Sequence, residues 1–132
     1  MKSAFVFIAM ILLAQACKKD SSHTTCKACN AIGNYAGIFH QTAGCYACVP
    51  YLDSTFTGNF VVDTLHFDSI IITRSYDNYQ WRFSYNDTGS YSRWACCTVG
   101  ESFTFVQPDS LIYYYNNGGS GGYFREEFSG KR

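Results

Sequence analysis

Proline is nearly absent from this chain: only Pro50 and Pro108 occur in 132 residues. Charge is sparse and balanced, with ten basic and ten acidic side chains. A chain this poor in proline and charge, with 18% aromatic residues, does not have a disordered composition. The balance leaves no basic footprint, so nucleic acid is not an expected partner. No apolar run reaches the roughly 20 residues that a membrane-crossing helix needs. Neither a phosphate loop nor a dinucleotide fingerprint is present.

The longest apolar run is Ala4 to Ala14, 11 residues, and it follows Lys2. A short positive start, an apolar stretch of this length and small residues beyond it make a secretion signal. Ala14 and Ala16 flank Gln15, and Cys17 comes next. Composition then turns abruptly polar at Cys17-Lys18-Lys19-Asp20-Ser21-Ser22, which no core helix would do.

Leu13-Ala14-Gln15-Ala16-Cys17 resembles the lipobox of bacterial lipoproteins. The resemblance implies that the Cys17 thiol receives a diacylglycerol, that residues 1–16 are removed, and that the acyl chains (palmitate-type) anchor the mature protein. An Asp after the cysteine tends to hold such proteins at the inner membrane. Lys18 stands there, so the resemblance implies the outer membrane. It covers about the first 20 residues and carries no activity for the remainder.

The mature chain, residues 17–132, is one domain's worth. Residues 17–33 read as a tether and 34–132 as a β domain. Tyr79-Gln80-Trp81-Arg82-Phe83-Ser84-Tyr85 alternates rings with polar residues, the period of a half-buried strand. Asn86-Asp87-Thr88-Gly89 follows as a hairpin turn. Tyr35 to Gln41, Cys45 to Tyr51, Asn59 to Leu65 and Phe67 to Thr73 are further strand candidates. So are Phe103 with Phe105, and Phe124, Glu126 and Phe128. Leu111 to Tyr115 reads as a strand covered on both faces. Asn116 to Gly122 looks too glycine-rich for a strand and is expected to be a flexible loop. The expected fold is all-β, an antiparallel meander forming a small barrel or sandwich after the cleaved signal helix.

Six cysteines remain beside Cys17: Cys26, Cys29, Cys45, Cys48, Cys96 and Cys97. Two Cys-x-x-Cys pairs fifteen residues apart have the spacing of a zinc site formed by Cys26, Cys29, Cys45 and Cys48. Export favours oxidation instead, and the even count suits disulfides. Structural disulfides are the expectation, zinc the alternative, and no cofactor is expected. Fifteen pairings are open to six cysteines.

His40 and His66 have no carboxylate evidently placed to orient them. Glu126 and Glu127 are adjacent, so they face opposite sides of a strand and do not form an acid pair. Tyr113, Tyr115, Tyr91 and Trp94 are candidates for a ring platform that binds sugars or other small ligands. The sequence thus points to a non-enzymatic envelope lipoprotein, held at the membrane by its lipid and acting by binding or as a structural accessory. A carbohydrate- or small-ligand-binding module, a hydrolase inhibitor and a zinc protein are the alternatives. An envelope protein or a glycan is the partner class.

Overall fold

The structure, a computed structural model, describes residues 29–45, 51–66, 68–95, 98–106 and 109–132. The signal, Cys17, Cys26, Cys48, Cys96 and Cys97 lie outside them. A short 3-10 turn, Cys29–Ala31, precedes eight strands. These are β1 (Gly33–Gly44), β2 (Leu52–His66), β3 (Ser69–Arg74), β4 (Gln80–Ser84), β5 (Ser90–Ala95), β6 (Val99–Val106), β7 (Ser110–Gly119) and β8 (Gly122–Lys131).

All eight belong to one antiparallel sheet in the order β4-β3-β2-β1-β8-β7-β6-β5. The first strand pairs with the last, so the meander curls into a nearly closed barrel. Only β4 and β5 share no ladder. Side chains span that seam: Phe83 lies 5.1 Å from Tyr91 and Trp81 5.0 Å from Phe103, centroid to centroid.

Alternation along each strand decides which residues enter the lumen. One row runs Phe103, Tyr113, Phe128, Phe39 and Phe56 across β6, β7, β8, β1 and β2. The next row holds Gly130, Gly37 and Gly58. These glycines make room for the rings, since a Cβ on Gly58 would meet the Phe39 ring at 2.9 Å. Phe60 sits at the centre, its ring 4.8 to 6.0 Å from those of Phe39, Trp81, Phe103, Tyr113 and Phe128. Such ring pairs each add about 0.5–1.5 kcal/mol beyond their buried area.

The outer surface is mixed. His40, Asp53, Asp63, Arg82, Arg125, Glu127 and Lys131 are exposed, and so are Ile38, Val61, Leu65, Trp94, Val106 and Ile112.

Several expectations need correction. Asn116 to Gly119 is strand, paired through Gly118↔Tyr123 and Gly119↔Gly122. Only Ser120 and Gly121 turn, because a two-residue hairpin needs glycine at its bend and tolerates it in the flanking ladder. Leu111 to Tyr115 is not covered on both faces: Leu111 and Tyr113 are buried while Ile112 is 47% exposed. Asn86 to Gly89 links two strands that do not pair, so it is a connection and not a hairpin. Tyr79 is half exposed because it lies just before β4, at the rim. Cys45 follows β1, and residues 46–50 of the strand expected there lie outside the described residues.

Candidate functional site at the barrel mouth

Antiparallel order places the β1–β2, β3–β4, β5–β6 and β7–β8 connections at one end of the barrel. The other end is sealed. Tyr35 donates its hydroxyl to the Ala31 carbonyl at 2.9 Å, and Arg132 donates to the Ile32 carbonyl at 2.6 Å. The first end holds a cavity of about 360 Å³ that opens to solvent. That volume falls within the roughly 300–1,000 Å³ typical of ligand pockets.

A polar row lies directly above the aromatic one. Arg93, Glu101, Tyr115, Glu126 and Gln41 are successive cross-strand partners on β5, β6, β7, β8 and β1. Each shares the inward phase of its strand, so the pleat carries both carboxylates into the lumen. Glu126 is only 1% exposed. It accepts from the Arg74 guanidinium at 2.5 Å, from the Tyr76 hydroxyl at 2.6 Å and from the Gln41 amide. A buried carboxylate requires this many donors.

Arg74, the last residue of β3, reaches in from the opposite wall. Its other nitrogens donate to Asp77 at 3.0 and 2.5 Å, and its guanidinium lies 4.5 Å from the Tyr76 ring centre and 5.3 Å from that of Trp81. Burial works against the Arg74 charge, but the Asp77 bond and the Glu126 charge outweigh it and hold the group protonated. Bonding to Arg74 pulls the Asp77 carboxyl below its usual range. Burial, and then the bond to Glu126, push the Tyr76 phenol well above its usual value. Burial does the same to Tyr113, followed by the Glu126 charge.

Tyr76 divides the mouth. Its ring meets Phe39 and Phe56 edge-on at 5.2 and 5.4 Å, filling the side next to β1 and β2. The open cavity is the other half, walled by Trp81, Tyr113, Tyr115 and Phe124, with Glu101 and Arg74 among its polar groups. Glu101 accepts from the Trp81 indole N–H at 2.7 Å. Its second oxygen faces Arg93 at a loose 3.6 Å.

No family model, curated protein or solved structure matches this chain. The site must therefore be judged on its own geometry.

The barrel brings Tyr113 and Tyr115 together at the cavity, both on the inward face of β7. It does not bring Tyr91 or Trp94 to them. Tyr91 is buried against Phe83 and Phe105. Trp94 is 69% exposed and covers Gly100 from outside, where a Cβ would come within 2.3 Å of its ring. Tyr113 and Tyr115 are thus joined in a concave wall by Trp81, Phe124, Glu101, Glu126 and Arg74. His40 does meet a carboxylate, Asp53 at 2.8 Å, but on the exposed outer face.

The four-cysteine zinc arrangement meets a geometric obstacle. Cys29 lies in the turn before β1 and Cys45 directly after it, with twelve strand residues between. At about 3.3 Å of rise per residue, their backbones are held tens of ångströms apart, so they do not share one ion.

Gly118-Gly119-Ser120-Gly121-Gly122 also spells the spacing of a serine-hydrolase elbow, a match that composition alone passes over. That elbow needs a strand-to-helix turn. Ser120 is in a turn between two paired strands and has no such setting.

Proposed function

We propose that this chain is the precursor of a lipid-anchored envelope protein whose barrel captures a small ligand at its mouth. One observation carries the binding reading: a solvent-open cavity of about 360 Å³, walled by rings and floored by oriented charged groups. Eight-stranded barrels have interiors just wide enough to be filled by side chains or to admit one small ligand. Here the sealed end takes the first course and the mouth keeps space.

Among the described residues, the lining supplies no serine, cysteine, histidine or lysine. Their strongest acceptor, Glu126, is already occupied by three donors. Capture without chemistry fits this lining better than catalysis does. The anchoring half of the proposal rests on Leu13-Ala14-Gln15-Ala16-Cys17. Its six further cysteines are proposed as disulfides, consistent with export.

The chain has two tryptophans, and only Trp81 lines the cavity. Trp94→Phe therefore leaves a single indole that reports on the mouth. Titrating this variant with a panel of amines, sugars, carboxylates and aliphatic alcohols should change Trp81 emission saturably for at least one class. Indifference to every class would overturn the binding reading. Separately, Cys17→Ser should release the protein from the membrane fraction. Retention after a carbonate wash would overturn the anchor.

A further inference from the structure

The mouth does not treat all ligands alike, because its charges do not cancel. Glu101, Glu126 and Asp77 are the carboxylates of the cluster, and Arg74 and Arg93 are its cations. Three negative groups face two positive ones, which leaves one negative charge.

That surplus is local to Glu101. Arg74 is committed to Asp77 and Glu126 by three hydrogen bonds. Glu126 already takes three donors and is only 1% exposed. Glu101 has one short bond, from the Trp81 indole. Its ion pair with Arg93 is 3.6 Å long, and the arginine side chain is 54% exposed, so water screens it heavily. A carboxylate offers about four acceptor positions, which leaves Glu101 spare capacity at a position only 12% exposed.

The rings point the same way. Arg74 already lies over Tyr76 and Trp81 in the geometry of a cation on an aromatic face. Tyr115, by contrast, stands between the two glutamates in the polar row. It meets Phe124 at 6.0 Å, and both rings face the cavity. A carboxylate beside an unoccupied wall of rings is the arrangement that recognises an organic ammonium group. An anionic ligand would meet the surplus carboxylate and find Arg74 already bound.

We infer that the mouth selects a small organic cation, an amine with an apolar body, with Glu101 holding the ammonium group and Tyr115, Phe124 and Tyr113 enclosing it. The inference rests on the mouth being a ligand site, as proposed above.

The test uses the mature protein carrying Trp94→Phe, with benzylamine, benzyl alcohol and methyl glucoside as probes. Benzylamine and benzyl alcohol have nearly the same shape and differ in charge. Benzylamine is expected to bind at least about tenfold more tightly, and added salt should shrink the gap. Glu101→Gln keeps an acceptor for the Trp81 indole but removes the charge. It should abolish the preference for the amine over the alcohol while leaving the melting temperature close to the parent. Equal binding of amine and alcohol, or tighter binding of methyl glucoside, would overturn the cation inference and leave the ligand site standing. Silence of Trp81 to all three probes and to the wider panel would overturn the ligand site itself. An amine preference that survives Glu101→Gln would overturn the role given to Glu101.

Discussion

Arg74 and Glu126 are 52 residues apart in the chain, and their side chains meet at 2.5 Å inside the barrel mouth. The pair links the wall formed by β3 to the wall formed by β8, which are separated by β2 and β1 in the sheet. It therefore acts as a tie across the lumen.

Breaking the tie from one side should be costly. Arg74→Met leaves the buried Glu126 carboxyl without its cation, with only Tyr76 and Gln41 to donate to it. Removing one partner of a buried ion pair typically costs about 3–5 kcal/mol. The double variant Arg74→Met with Glu126→Gln should recover a large part of that loss. Urea denaturation of the parent, the single variant and the double variant checks this. A single variant within experimental error of the parent would contradict it.

Gly37 of β1 packs against the backbone of β8. A Cβ there would lie 2.1 Å from the Ser129 carbonyl oxygen. The obstacle is backbone, not a flexible side chain, so the two strands must part. Gly37→Ala should cost at least about 1–3 kcal/mol, the usual penalty for overpacking, and should raise amide exchange in β1 and β8 before other strands. Unchanged exchange in that pair would contradict the expectation.

Alkali should unfold the barrel through its tyrosines. Burial raises the phenol pKa of Tyr35, Tyr76, Tyr91 and Tyr113. A raised folded pKa contributes stability that is complete below the unfolded value, about 10 for tyrosine, and is lost as pH rises toward the folded one. Part of the tyrosinate absorbance, that of Tyr35, Tyr76, Tyr91 and Tyr113, should therefore appear only as the strands unfold. Tyrosinate absorbance that rises to completion while the far-ultraviolet β signal stays unchanged would contradict this.

Reduction is expected to lower the melting temperature and chelation to leave it unchanged. Cys45 and Cys48 belong to the β1–β2 connection, and Cys96 and Cys97 to the β5–β6 connection. A bridge between those connections would close a loop of about 50 residues, which contributes roughly 4 kcal/mol in the chain-entropy model. Thiol titration of protein taken from the envelope should find almost no free cysteine. Tight binding of zinc to the oxidised protein would contradict the assignment.

The alternation of rings and polar residues along Tyr79 to Tyr85 and from Phe103 to Phe105 was enough to specify a β fold. It could not decide between barrel and sandwich. That choice depends on β1 pairing with β8, a contact between chain ends that leaves no local mark. The mouth was half visible. Glu126 stands between Phe124 and Phe128, Glu101 precedes Phe103 by two, and Arg74 follows Ile72 by two. Each is a charge set in the apolar phase of its strand, which is a sequence signal for a buried polar site. Adjacent Glu126 and Glu127 distracted from it, because the relevant partner of Glu126 is Arg74 and not its neighbour. Tyr76 was not visible at all, since a turn residue has no phase to read.

The pairing of the first strand with the last also governs when the domain can fold. Until the segment ending at Lys131 is available, β1 has a neighbour on one side only, and the lumen has no closing wall for Phe39 to pack against. A chain exported N-terminus first would thus cross the membrane without a barrel forming behind it. Folding would wait for the ten-residue strand β8, so closure of the barrel would be a late event that no N-terminal fragment can complete.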